Sequence, residues 1–497
     1  MSNLMSTANM RSTTLLGDSR WHSRLFTGQW CEGAGGVYEV REPANCKSLG
    51  KVGFANAQDI IASCKTAAAA QPAWAAMGAR ERAAILHRAA AVLESAFEEC
   101  ASLVARETGG ILPKGQHEVR EAVALLHAAG ALAIGPRGEV LQSLTGSLSY
   151  ARRVPRGVVG VISPFNFPLI LSLRAVAPAL AAGNAVVLKP DPQTALSGGY
   201  IIARAFEEAG LPPGVLHVVP GGADAGEALC LDRNVQMIQF TGSTQIGRRV
   251  AELAGRTLKK VSLELGGNNA LLVLDDADID AAVNNAAWGA WLHQGQICMA
   301  SSRIFVHEAV CAEFTRKLAE KAQRLPVGDP AAGQVAIGPV MNERQLLRVK
   351  SIVADTLQAG AKLEAGGGST NLFHEATVLS GVKPGMRAFA EEMFGPVASI
   401  VSFRSDEEAV ELANMHEGGL AAAVISRSVG RAMAIADQLN VGMVHINDQT
   451  VNDHANNPFG GPGVAGAGSA VGGSADLDEY TRWQWVTVKD KPPIYPF

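Results

Sequence analysis

The stretch from Val158 to Leu265 constrains the fold more than any other part of the chain. Short, mostly apolar runs recur at 158–162, 185–189 (AVVLK), 215–219, 237–241 and 260–265 (KVSLEL). Helical patterns fill the gaps, at 169–182, 195–209, 225–231 and from Gly247 to Ala254. Runs apolar on both faces fit strands covered on two sides, and strands that alternate with helices need crossovers, which make a parallel sheet. The expected fold class is therefore α/β, with ligands at the carboxyl ends of the strands. Residues 157–188 are apolar over more than a membrane span, but Pro164, Asn166, Pro168, Arg174, Pro178 and Asn184 interrupt them. A buried strand, a turn, a helix and a second strand account for them better.

A second α/β block runs from about Asn268 to Asn447, with strands read near 269–274, 302–306, 397–402 and 420–426. Upstream, Ala-rich helices are expected at 57–70 and 79–107, the second closed by Gly109 and Gly110, and a further one at 118–133. Two alternating segments, 139–154 and 483–489, fall outside the rhythm, and 459–473 is Gly-rich. The first twenty residues are polar, lack the apolar core of a signal peptide and read as a loose extension.

A chain of 497 residues suggests about three domains or lobes. With 47% hydrophobic and 18% charged residues it can bury large cores. A net charge of -4 without a basic tract gives no reason to expect nucleic acid or an anionic membrane as partner. The seven cysteines are scattered, odd in number and without a C-x-x-C pair, which fits a reducing, cytoplasmic setting. No histidine spacing suggests a metal, and none is expected.

Several residues stand where chemistry is done. Gly242-Ser243-Thr244-Gln245-Ile246-Gly247 follows a strand and opens a helix, presenting N–H groups to a phosphate, although no G-x-G-x-x-G accompanies it. Lys189 ends a buried strand; its alternative is a snorkelling surface lysine. Asn166, between Pro164 and Pro168, offers an amide to a developing oxyanion, or simply forms a turn. Glu264, inside a strand before Leu265-Gly266-Gly267, is either a tuned general base or an edge-strand carboxylate facing water. Cys298, taken alone, is inert packing; with an amide donor and a carboxylate base it completes a set sufficient for covalent carbonyl chemistry.

Together these segments resemble the aldehyde dehydrogenase superfamily over nearly the whole chain. The ordered motifs are PFNFP at 164–168, LKP at 188–190, FTGSTQIG at 240–247, LELGG at 263–267, GQIC at 295–298, EEMFGP at 391–396 and PFGG at 458–461. Glu264 and Cys298 are 34 residues apart, as in the family. The resemblance implies Cys298 as nucleophile, Glu264 as general base and Asn166 as oxyanion donor. It implies Lys189 on the adenosine ribose, Ser243 with Gly242, Thr244 and Gly247 at the pyrophosphate, Leu265 beside the cofactor, Glu392 on the nicotinamide ribose and Phe394 packing nearby. It also implies a Rossmann-like NAD(P)-binding domain (1–138 and 155–263), a catalytic domain (264–455) and a small β extension (139–154 and 475–497) that makes a homodimer or homotetramer.

A finer resemblance, to the benzaldehyde dehydrogenase branch, rests on ELGGNNA at 264–270, LHQGQICM at 292–299, GMVHINDQTVND at 442–453 and the ending YPF. It implies an aromatic aldehyde substrate, with Phe167, Leu171 and Leu292 as an apolar slot for the ring; vanillin, salicylaldehyde or an aliphatic semialdehyde are the alternatives. Many NAD-preferring members carry Glu three residues after the strand-end lysine, where this chain has Pro192, so use of both NAD and NADP is expected. Rival readings are a CoA-acylating relative, against which Glu264 argues, a cysteine hydrolase using His293, and a non-catalytic structural relative.

Overall fold

The computed structural model describes residues 14–143, 146–416 and 418–497. Residues 1–13 of the expected loose extension lie outside it. The described end of that extension is docked: Leu15 and Leu16 donate backbone N–H groups to the Glu99 carboxylate at 2.6 and 3.0 Å, and Leu15 and Trp21 are buried.

The α/β rhythm becomes a sheet of seven strands in the order Lys260–Glu264, Val235–Thr241, Val158–Ile162, Ala185–Lys189, Leu216–Val218, Arg24–Phe26, Trp30–Glu32. The first five are parallel. The strands at 158–162 and 185–189 and the helix Pro168–Ala181 between them are buried at every position, so the apolar run is interior rather than a membrane span. Among the described residues no helix is long and apolar enough to cross a membrane. From the 158–162 strand the chain builds outward first on one side and then on the other, leaving a crevice where the direction switches. Register aligns the row that faces it: Ile162 pairs with Lys189 and with Phe240, and Thr241 with Glu264.

A second seven-stranded sheet has the order Lys362–Ala365, Thr377–Ser380, Val397–Phe403, Arg303–His307, Ala270–Val273, Gly419–Ile425, Val441–Ile446, parallel except for its first strand. The two outlying segments form a third, antiparallel sheet: Thr481–Val488 pairs with Leu148–Pro155 over its full length, and Gly138–Val140 adds the far edge.

Some boundaries differ from those expected. The segment read as one helix at 79–107 is two, Ala79–Ser95 and Phe97–Thr108, and Gly109 closes the second in a left-handed conformation (φ 70°). The helix expected from Glu118 begins at Leu112, with Pro113 in its first turn, where a missing N–H costs nothing. The helix read at 195–209 opens with a π-helical turn, Leu196–Tyr200.

Candidate active site

Where the sheet ends meet, one cavity of about 1210 Å³ opens. That exceeds the ~300–1,000 Å³ of ordinary small-molecule sites and suits a dinucleotide together with a substrate head. Its wall contains Asn166, Leu171, Lys189, Gly242, Ser243, Thr244, Glu264, Leu265, Cys298, Glu392 and Phe394. Of the expected residues, Gly247, Phe167 and Leu292 are not in this wall. Gly247 packs against Leu265, whose side chain would lie 2.4 Å from an added Cβ, so its glycine serves the helix–strand contact. Phe167 and Leu292 pack instead on an apolar cluster of Ile297, Met299, Leu420 and Phe459, to which Cys298, Met443 and Val451 also belong. Cys298 thus joins the cavity wall to a half-buried apolar patch.

Cys298 sits on a loop rather than on a regular element. After the helix Ile279–Trp291 the chain reverses through three consecutive left-handed residues, His293 (φ 49°), Gln294 (φ 57°) and Gly295 (φ 65°). Two of these are not glycine, a local strain that surrounding bonds must hold. Gln294 Nε2 donates to Gly109 O at 2.8 Å. Asn269 Nδ2 donates to Cys298 O (2.7 Å) and Ala300 O (3.0 Å), while its Oδ1 accepts from Ala421 N at 2.9 Å, so one amide ties the Cys298 loop to the second sheet. Burial first, then the Glu392 and Glu264 carboxylates, pushes the Cys298 thiol well up.

Asn166 is buried in the rigid turn between the 158–162 strand and the helix Pro168–Ala181, and its Nδ2 donates to Gln296 O at 2.9 Å, beside the Cys298 loop. Its role as a mere turn former does not describe this placement. The turn is clamped from behind by a fully buried ion pair, Lys114–Glu118. Lys114 Nζ donates to Asn166 O (2.8 Å), to Thr108 Oγ1 (3.2 Å) and to Glu118, and lies 4.5 Å over the Phe167 ring. Glu118 Oε2 accepts from Leu169 N (3.1 Å) and Ile170 N (3.3 Å), capping the helix.

Glu264 does stand on the edge strand of its sheet, but it does not face water. Residues 465–466 of the Gly-rich tail cover that edge: Glu264 bridges to Gly466, and Leu265 N donates to Ala465 O at 2.9 Å. The carboxylate is 3% exposed and neither oxygen has a partner among the described residues. Burial pushes it well above the usual carboxylate range, against the pull of Arg174. Arg174, also buried, pairs with Asp453 and leaves Nε and Nη1 unbonded.

The remainder of the cavity wall fits a dinucleotide. Ser243 caps the helix Thr244–Gly255, whose N-terminus opens on the cavity. Lys189 is buried, not snorkelling, and its Nζ donates to Gly221 O at 2.9 Å. Glu392 has an unpartnered buried oxygen and approaches Gly266 so closely that an added Cβ would lie 2.3 Å from Oε2. Its pKa is pushed up to about 7 by burial, opposed by Arg348 and a bond from the Gly267 backbone. Phe394, left-handed at φ 50°, meets Phe165 edge-on at 5.9 Å. His293, the candidate base of a hydrolase, lies away from the cavity. It is buried against Phe167, outside the cavity wall, and burial holds it well below the usual histidine range. Among the described residues no metal-binding cluster occurs.

The comparisons with known proteins agree with this geometry. The chain is 50% identical over 485 residues to the vanillin dehydrogenase of Amycolatopsis sp., covering 97% of this chain and 100% of that one. It is likewise 50% identical over 478 residues to the NAD(+) benzaldehyde dehydrogenase of Pseudomonas putida, covering 96% and 98%. The solved betaine aldehyde dehydrogenase of Staphylococcus aureus in complex with NAD+ superposes with a TM-score of 0.93 at 28% identity, over 96% of this chain and 97% of that one. Residues 30–486 match the model of the aldehyde dehydrogenase family, and the Cys298 loop, covered carboxylate and dinucleotide-sized cavity lie within that span: the chain belongs to the aldehyde dehydrogenase family.

Proposed function

We propose that this enzyme oxidises an aromatic aldehyde to the carboxylic acid with NAD(P), and that Cys298, Asn166 and Glu264 carry the chemistry. The observation that carries the reading is their convergence on one cavity wall beside an apolar cluster. Cys298 Sγ, once deprotonated, attacks the carbonyl carbon. The second N–H of the Asn166 amide and the Cys298 backbone N–H, which has no described partner, donate to the oxyanion. Bound nicotinamide supplies the hydride acceptor. The acyl group is then a thioester on Cys298. Glu264 takes a proton from water, which attacks the thioester, and the acid leaves as the thiol re-forms. Lys189, the Gly242–Thr244 turn, Leu265, Glu392 and Phe394 would hold the cofactor.

The aromatic substrate is supported by the names of the two relatives at 50% identity and by the apolar cluster in which Phe167 and Leu292 pack with Met443, Val451 and Phe459 beside Cys298. Comparing kcat/KM for benzaldehyde, vanillin, salicylaldehyde, acetaldehyde and a charged semialdehyde tests it. Aromatic substrates should lead, and a preference for acetaldehyde or the semialdehyde would overturn the assignment.

The extension strands support an oligomer: Trp483, Trp485, Leu148, Val140 and Val488 are exposed on one three-stranded sheet. A homodimer or homotetramer is the assembly proposed, with segments 139–154 and 475–497 at its interface, residues 1–138 and 155–263 holding the cofactor and 264–455 carrying catalysis. All seven cysteines are free thiols, which supports a cytoplasmic setting.

A further inference from the structure

Pro192 leaves the place after the strand-end lysine without a glutamate, but the structure brings another carboxylate there. Asp191 lines the cavity two residues beyond Lys189. Its Oδ1 accepts from Gln193 N (2.9 Å) and Gln193 Nε2 (3.2 Å), and Gln193 Oε1 accepts from Asn342 Nδ2 at 2.7 Å. The carboxylate is thereby fixed through Gln193, which Asn342 anchors in turn, while Oδ2 takes no bond among the described residues. Asp224 stands on the other side: its Oδ1 lies 3.0 Å from a Cβ built on Gly222, next to the Gly221 carbonyl that holds Lys189. Both carboxylates act on the Lys189 ammonium, so its charge is already opposed by two negative charges.

In doubly wound sheets an acidic side chain at the end of the second strand accepts from the ribose 2′-hydroxyl and rejects a 2′-phosphate. The 185–189 strand is the second of its crossover series, and Asp191 is at its end. We propose that Asp191, with Oδ2 free to accept from a ribose hydroxyl, makes this enzyme prefer NAD over NADP despite Pro192. This rests on the assignment of the cavity as the dinucleotide site and replaces the expectation of even dual use with a preference on the order of 10- to 100-fold.

The test is calorimetric binding of adenosine 5′-monophosphate and adenosine 2′,5′-bisphosphate to the wild type, Asp191→Ser and Asp191→Asn, with kcat/KM for NAD and NADP alongside. Asp191→Asn keeps an oxygen for Gln193 and removes only the charge, which guards against a local collapse in the serine variant. The wild type should bind the monophosphate more tightly. Both variants should shift the bisphosphate-to-monophosphate affinity ratio about tenfold or more toward the bisphosphate, and the NADP-to-NAD efficiency ratio should move with it. Equal wild-type affinities, or a ratio unmoved in both variants, would overturn the inference alone. Failure of both adenylates to bind the wild type would overturn the cavity assignment and the inference with it.

Discussion

Replacing Lys114 with methionine removes one partner of a buried ion pair and leaves the Glu118 carboxylate without a counter-charge. Such a loss costs about 3–5 kcal/mol, more than the pair itself contributes, because the remaining charge stays desolvated. At roughly 2.1 cal/mol/K of unfolding entropy per residue, a chain of 497 residues unfolding as one unit should lose about 3–5 °C in Tm. Adding Glu118→Gln removes the stranded charge and keeps an oxygen for Leu169 N and Ile170 N. The double variant should therefore recover most of the loss, leaving about 1–2 kcal/mol for the missing bond to Asn166 O. Activity should behave differently. Both variants lack the tether on the Asn166 turn, and a displacement of about 1 Å of an oxyanion donor lowers turnover up to about 100-fold. Differential scanning calorimetry and steady-state kinetics on the two variants measure both effects. If the double variant melts as low as Lys114→Met, or if kcat in either stays within twofold of wild type, the clamp does not work as described.

Further outcomes are expected. Cys298→Ala should abolish aldehyde oxidation while leaving Tm within a few degrees; wild-type turnover in that variant would remove the nucleophile assignment. Glu264→Gln should lower turnover about 100- to 10,000-fold and let the Cys298 thioester accumulate, which intact-protein mass spectrometry detects; no trapped acyl group would place the hydrolytic base elsewhere. Glu392 holds its proton to about pH 7 in the folded enzyme against the ordinary 4.5, so its contribution to stability is complete below about pH 4.5 and is lost as pH rises through 7. Glu392→Gln should therefore raise Tm relative to wild type at pH 9, by an amount equivalent to about 1–3 kcal/mol after screening by water in the cavity, and should not at pH 4.5. An equal difference at both pH values would contradict the burial argument.

The strands around the cavity were legible because each is short, apolar throughout and separated from the next by a helix and a turn, and the register that aligns Lys189, Ile162, Phe240 and Glu264 follows from their parallel pairing. The edges were not. Lys362–Ala365 is largely exposed and polar, and Arg24–Phe26 and Trp30–Glu32 are too short for a period to show. Val441–Ile446 alternates only weakly in burial, so its sequence carries little strand signal. Cys298 and Glu264 could be named, but their surroundings could not: the left-handed turn at His293 and Gln294 has no residue signature, and the tail that covers Glu264 comes from two hundred positions away. Lys114 and Glu118 carried a faint signal, an i,i+4 pair of opposite charges among the polar residues that enter the helix, which reads equally as a solvated face. Asn269 belongs to the ELGGNNA motif, yet its clamp on Cys298 O depends on the loop's path.

The covering of Glu264 by Gly466 also dates the appearance of activity during synthesis. The first sheet, the nucleophile loop and the second sheet can all be assembled before residues 459–473 emerge from the ribosome. Until they do, the edge at Glu264 is open to water and the buried carboxylate does not exist as such. The strand Thr481–Val488 then closes on Leu148–Pro155, more than three hundred residues upstream, and fixes the tail in place. A nascent or truncated chain ending before the tail would carry Cys298 with the Glu264 edge uncovered.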